Sequence, residues 1–280
     1  MIARKAHLLC VLVGCLIGLT PAWGESPAGL VDAMVKSRAE VKPVTLPSLL
    51  TPGLNIEKAY AIQKDLIKAL VAKGDKVCGF KAALTSEATQ KRFGVDRALL
   101  APLLKSGEVM DGAVLEKKDF VMPMIENEIG FVAGKRITSP VKDVAALKEL
   151  VTEVFPAIEF PDLRYAQMKD LKGPDLVADA TGSSKHLVGK KIPATQADVA
   201  AVEVTLTCDG AEINRGKAAD AMGDQWKALL WLVNGAIEQG WTVEPGYVFI
   251  TGDMGKMLPA KPGTYKGDYG SLGSLSFTIK

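Results

Sequence analysis

Glu126, Glu128 and Glu159 are the residues of this 280-residue chain whose types and spacing most directly suggest chemistry. The first two stand at i and i+2 in Met124-Ile125-Glu126-Asn127-Glu128-Ile129-Gly130-Phe131-Val132, a run with the composition of a strand. Strand side chains alternate between faces, so the two carboxylates project from one side, ~7 Å apart at the strand rise. Ala157-Ile158-Glu159-Phe160 repeats the composition and brings a third carboxylate among apolar neighbours. Three such groups converging near a core repel one another unless a cation joins them. Oxygen-only donors suit a hard ion, Mg²⁺ or Mn²⁺. Taken alone, Glu126 and Glu128 fit a solvated strand face equally well.

Lys81 is the other chemical oddity, a lysine inside the apolar run Val77-Cys78-Gly79-Phe80-Lys81-Ala82-Ala83-Leu84. Such a lysine ordinarily sits at a sheet edge with its ammonium in water. Turned instead toward a metal and a carbonyl substrate, it would have its pKa lowered by burial and by the cation, as a proton carrier requires.

Other chemistries are poorly provided for. Beyond the N-terminal segment His186 is the single histidine, and it stands in no G-x-S-x-G or comparable nucleophile context, so it reads as a surface residue. No H-E-x-x-H, paired C-x-x-C, P-loop or strand-linked G-x-G-x-x-G is present. The N-terminus has the pattern of a secretory signal: Arg4 and Lys5, an apolar stretch from Leu8 to Leu19, and Ala22-Trp23-Gly24 before a cleavage point at Glu25. A periplasmic or secreted protein is expected. A lipoprotein anchored at Cys15 fits less well, because the apolar run continues past it. Removing residues 1–24 takes the formal charge from +2 to zero, and a neutral chain without basic clusters argues against nucleic acid. No later stretch is apolar for long enough to span a bilayer. Cys78 and Cys208 can pair or stay as thiols; both lie in apolar strand-like runs, which favours thiols.

Residues 25–280 suit one domain. A helix is expected over 28–39, and a second from Asn55 as cap to Gly74, with Tyr60 and Gln63 buried and bonded locally. Ser86 caps a helix over 87–93, residues 99–120 read as loop and short strand, and further helices are expected over 141–151 and 218–239, the latter carrying Trp226 and Trp231 into the core. Strands are expected over 154–160, 202–208, 247–251 and 275–279. Ala180-Thr181-Gly182-Ser183-Ser184 is a small-residue loop that lets backbone approach a ligand or is an ordinary turn. Strands and helices follow one another without a regular βαβ rhythm, which disfavours a doubly wound sheet.

With these residues located, the chain resembles the 2-keto-4-pentenoate hydratase and 4-oxalocrotonate decarboxylase family of the fumarylacetoacetate hydrolase superfamily, from about Ile56 onward. The resemblance is carried by Ala59-Tyr60-Ala61-Ile62-Gln63, Gly79-Phe80-Lys81 with Leu84-Thr85-Ser86, Glu126-x-Glu128, Ile158-Glu159 with Asp162 and Arg164, Val177-Ala178-Asp179, Trp231-Leu232-Val233-Asn234 and Thr251-Gly252. It implies an α+β fold, with a curled, barrel-like β-core flanked by helices. It also implies a divalent ion, Mg²⁺ or Mn²⁺, on Glu126, Glu128 and Glu159, with Lys81 and Asp162 in the chemistry and Leu84 and Ser183 beside the substrate. The implied activity is a metal-dependent lyase, a hydratase acting on a short unsaturated 2-hydroxy or 2-oxo acid, in a homo-oligomer. A decarboxylase of a related diacid, or an exported binding protein of the same fold, are the alternatives. Hydrolases of the superfamily use an N-terminal-side histidine, and residues 25–185 contain none. The departures lie at Ala82-Ala83, Ala98-Leu99-Leu100-Ala101, Ala180, Gly182, Asp224-Gln225 and Asp253, where the family carries other residues around its substrate.

Overall fold

The computed structural model describes residues 29–280, so the export segment expected over 1–24 lies outside the described residues. The chain enters through α1 (Leu30–Glu40), the single turn α2 (Pro47–Leu50) and α3 (Ile56–Ala72). Asn55 caps α3, its side chain accepting from Lys58 N at 2.9 Å. Ala59, Ile62 and Leu66, spaced at three and four, join Leu30 and Met34 of α1 in one apolar cluster. The hydrogen bonds expected of Gln63 are long-range instead of local: Nε2 donates to Leu100 O and Val177 O, at 3.1 and 2.9 Å.

Then come β1 (Val77–Ala83), α4 (Glu87–Phe93), β2 (Leu99–Leu104), β3 (Glu108–Met110), β4 (Ala113–Leu115), β5 (Met124–Ala133), α5 (Val144–Lys148) and β6 (Val151–Phe160). The second half holds α6 (Gly173–Ala178), β7 (Lys185–Val188), β8 (Ile192–Pro193), β9 (Glu203–Cys208), β10 (Ala211–Lys217), α7 (Gln225–Glu238), β11 (Val248–Ile250), β12 (Leu258–Pro259), β13 (Gly263–Asp268) and β14 (Ser274–Ile279). Three of the expected elements change. Residues 99–120 contain three strands. The helix expected over 141–151 is the five-residue α5, because the chain is already paired with β5 from Val151 onward. The helix expected from 218 starts only at Gln225, since Gly223 takes a left-handed φ of 78° and Asp224 caps the new start, accepting from Lys227 N. Trp226 and Trp231 are half-buried at the border of the core.

Nine strands form the main sheet, with the path β2-β1-β11-β5-β6-β7-β3 and with β12 and β8 paired onto β5 and β6. Five more make the order β10-β9-β13-β14-β4. The main sheet is curled. Cys78 on β1 and His186 on β7 are four places apart along it, roughly 19 Å in a flat sheet at the usual strand spacing, yet Sγ and Nε2 stand 3.9 Å apart.

Alternation sorts the two faces. Val132, Phe155, Ala157, Val188, Val248 and Ile250 cluster on the concave side. Ile125, Ile129, Phe131 and Ile158 turn to the convex side, where α7 and the five-stranded sheet supply Leu229, Leu232, Leu275 and Phe277. Gly130 makes room inside the curl, because a Cβ there would meet the Phe155 ring at 2.1 Å. Both described cysteines are free thiols. Among the described residues no helix is long and apolar enough to cross a membrane.

Candidate active site

The antiparallel register of β5 and β6 sets Glu126 directly opposite Glu159, and Glu128 opposite Ala157. All three carboxylates therefore share the concave face, and an oxygen of each lies within 4.8 Å of the others. Glu128 and Glu159 are fully buried, while Glu126 is partly open. Lys81 is 1% exposed, in contrast to the sheet-edge position that its sequence context suggests. The reason is topological: β1 is flanked by β2 and β11, so it has no free edge. Its Nζ lies 2.7 Å from Glu159 Oε1, donates to Oε2 at 2.8 Å, and donates to the Thr181 carbonyl at 3.1 Å. Gly252 N donates to Glu128 Oε2, and the carboxylate of Asp253 accepts from Asn127 N at 3.0 Å.

Burial drives the electrostatics of this cluster. It lifts Glu128 well above the usual carboxylate range, with Glu159 and Glu126 adding to the effect. Glu159 is pushed up to about 8 by burial, against the pull of Lys81 and with further help from Glu126. Asp253 moves in the same direction through burial and the neighbouring Glu126. For Lys81 burial acts downward, but Glu159, Glu126 and Glu128 outweigh it and hold the ammonium above its ordinary value. The downward shift expected of a buried lysine is thus reversed while the carboxylates stand uncompensated.

One ammonium faces three glutamates, and this is an incomplete balance of charge for a buried site. Glu128 Oε1 and Glu159 Oε1 are buried without a hydrogen-bond partner among the described residues, the latter having only its ion-pair contact with Lys81. Unsatisfied buried carboxylate oxygens, all hard donors, fit a divalent cation such as Mg²⁺ or Mn²⁺.

Backbone strain collects around Lys81. Leu84, just beyond β1, and Ala180 and Thr181 in the small-residue loop have φ of 52°, 52° and 49°. Left-handed non-glycine residues cost of order 1–3 kcal/mol each and persist only where the surroundings hold them. Here Asp179, fully buried, is gripped by Arg38 at 2.5 Å and approached by Arg164 at 3.9 Å, and Gly182 O accepts from Asp162 N at 2.9 Å. The turn between these two anchors delivers the Thr181 carbonyl to Lys81.

The carboxylate of Asp162 accepts from Val121 N at 3.0 Å and Met122 N at 2.7 Å and pairs with Arg164 at 3.3 Å, which engages it with the segment leading into β5. Ser183 Oγ donates to Pro102 O at 3.2 Å, tying the loop to β2. Leu84 is half-buried and its carbonyl accepts from Gln90 Nε2. Leu99 and Ala180, expected beside a substrate, are packed into apolar clusters.

Sequence reasoning misses the Thr181 carbonyl and the Gly252 amide as partners of the cluster, and it marks Asp253 only as a departure around the substrate. Thr251-Gly252 is legible as a motif, but nothing local shows that it folds against β5. His186 is a correction. It is 1% exposed instead of lying at the surface, because β7 is enclosed between β6 and β3, and burial pulls its imidazole down to about 4. Beside it the Cys78 thiol is pushed up to about 12, again chiefly by burial.

No family model matches the chain. It is 31% identical over 230 residues to the 2-keto-4-pentenoate hydratase of Burkholderia vietnamiensis, covering 81% of this chain and 87% of that protein. It is 30% identical over 228 residues to the 4-oxalocrotonate decarboxylase of a Pseudomonas species, covering 81% and 88%. Among solved structures, the 4-oxalocrotonate decarboxylase of Pseudomonas putida, complexed with magnesium and adipate, superposes with a TM-score of 0.85 over 90% of this chain and 96% of that one, at 24% identity.

Proposed function

The chain belongs to the 2-keto-4-pentenoate hydratase and 4-oxalocrotonate decarboxylase family, and on that premise we propose that the lysine and carboxylate cluster is the centre of a divalent-metal-dependent hydratase acting on a short unsaturated 2-oxo or 2-hydroxy acid such as 2-hydroxypenta-2,4-dienoate. The observation that carries this assignment is Lys81, buried and held between Glu159 and the Thr181 carbonyl beside two carboxylate oxygens that lack hydrogen-bond partners.

Glu126, Glu128 and Glu159 would hold the ion. When bound there, a divalent cation supplies a Lewis acid that polarises a 2-oxo group and offsets the carboxylate charge. The protein's own groups do the rest. Gly252 N holds Glu128 in place, and the Glu159 pair fixes Lys81 Nζ on the concave face. An ammonium has three donors; Glu159 and Thr181 take two, which leaves the third for a substrate oxygen or for transfer of a proton to substrate carbon. The apolar lining from Phe155, Ala157 and Ile250 limits water near that proton.

The test is metal removal. The chelated protein, assayed on 2-hydroxypenta-2,4-dienoate, is expected to lose turnover and to regain it with Mg²⁺ or Mn²⁺. Full turnover after complete chelation would sink the assignment. A related 2-oxo diacid belongs in the same panel, since one relative at 30% identity is named a decarboxylase. Loss of carbon dioxide from that diacid, with no hydration of the dienoate, would select the second activity.

A further inference from the structure

Further along the concave surface lies a second cluster, made of Cys78 on β1, Glu108 on β3 and His186 on β7, with ligand atoms within 4.8 Å of one another. Its chemistry differs from that of the first, for it offers one sulfur, one nitrogen and one oxygen. Sγ and Nε2 are 3.9 Å apart. A tetrahedral zinc with bonds of about 2.3 Å to sulfur and 2.0 Å to nitrogen separates the two donors by roughly 3.6 Å, so these two need to approach by only a few tenths of an ångström, and the Glu108 oxygen lies within 4.8 Å of both.

The imidazole is a thinly partnered buried group. His186 is 1% exposed, and among the described residues the thiol at 3.9 Å is its only hydrogen-bonding neighbour. Buried polar side chains are ordinarily well paired, so one held by a single long sulfur contact leaves donor capacity for a ligand. Cys78 Sγ has only a long contact of its own, 3.6 Å to Leu103 O. The backbone is arranged around the ring as well. A Cβ on Gly107 would stand 2.3 Å from Ser184 O and 3.4 Å from His186 Nδ1, so this glycine lets the chain lie close enough for Glu108 to pair in register with His186.

We propose that Cys78, His186 and Glu108 form a zinc site, separate from the carboxylate site, that ties β1 to β7 and β3 and holds the curled sheet closed. Donor softness sorts the ions: thiolate with imidazole selects Zn²⁺, while the oxygen-only cluster favours Mg²⁺ or Mn²⁺. Binding replaces the thiol proton, which leaves to solvent, so uptake releases one proton per ion. Glu108 is paired with Lys105 at 2.5 Å, but that lysine side chain is 59% exposed and gives up such a surface pair at little cost. Three protein ligands leave a fourth position for water.

Cobalt reports on this site directly. The metal-stripped protein, in excess Mg²⁺, is titrated with Co²⁺ and followed by absorption. One equivalent is expected to give a thiolate-to-cobalt charge-transfer band with tetrahedral d–d bands, both displaced by one equivalent of Zn²⁺. The charge-transfer band should vanish in Cys78→Ser, with at least a tenfold loss of Zn²⁺ affinity, and should persist in Cys208→Ser and in Glu126→Gln/Glu128→Gln. A wild-type spectrum without a thiolate band overturns the proposal, and this measurement needs no variant to fold. So does a band that survives Cys78→Ser, or Zn²⁺ uptake that is lost only with the two glutamates.

Discussion

At the scale of single residues, Lys81 is the group on which turnover should depend. Its ammonium is fixed by one carboxylate and one carbonyl, so its removal leaves the three carboxylates in place while taking away the proposed proton donor. Lys81→Ala is expected to lower kcat by roughly 10²- to 10⁴-fold, the usual range for a general acid or base, with metal content unchanged. Lys81→Arg should not restore turnover, because a guanidinium stays fully protonated near neutral pH and is a poor proton donor. Steady-state assays paired with metal analysis check both. A fall of less than tenfold with retained metal would remove Lys81 from proton transfer. The carboxylates were visible in the sequence because i, i+2 spacing on a strand leaves no choice of face. Lys81 was ambiguous because strand period says nothing about whether a neighbouring strand covers it.

Among the elements, the turn after α6 decides the geometry at the lysine. Its two left-handed residues, Ala180 and Thr181, are held by the ion pairs of Asp179 at one end and by the bond from Asp162 N to Gly182 O at the other. Arg38→Ala leaves the fully buried Asp179 with only the longer Arg164 contact at 3.9 Å. Breaking a buried pair in this way costs about 3 kcal/mol or more, measurable by urea denaturation. The strained turn should relax with it, lowering kcat by more than it changes substrate binding. Retained stability together with unchanged kcat would show that the turn needs no such anchor. Little of this could be read in advance, since Ala180-Thr181-Gly182 looks like any small-residue turn until its carbonyl is seen to meet Lys81.

Over the whole molecule, the concave interior carries a carboxylate excess that couples stability to pH. Glu159 rises from 4.5 to about 8 on folding, and Glu128 and Asp253 move the same way. Such groups favour the folded state fully below their unfolded pKa, and the benefit is lost as pH rises through the folded value. His186 acts oppositely, being pulled from 6.5 to about 4, so it adds stability as pH rises across that interval and offsets part of the carboxylate effect there. Between pH 6.5 and 8 the carboxylates act alone. The metal-free protein should therefore lose melting temperature over that window, and saturating Mg²⁺ or Mn²⁺ should flatten the loss by competing with the protons. Thermal melts in chelator and in excess cation test this. A melting temperature that climbs from pH 6.5 to 8 without metal would contradict it.

By itself the sequence determined the caps at Asn55 and Ser86, the amphipathic stripe of α3, the strands around the three glutamates and the shared face of Glu126 and Glu128. These features follow from backbone geometry and side-chain type within a few residues. Only the tertiary structure decided that Lys81 is enclosed, that Thr181 and Gly252 present backbone groups to the cluster, and that His186 is buried against Cys78. Each of these depends on how strands distant in the chain pair and how far the sheet curls. Closure of that kind is set by packing across the whole interior, which no local period encodes.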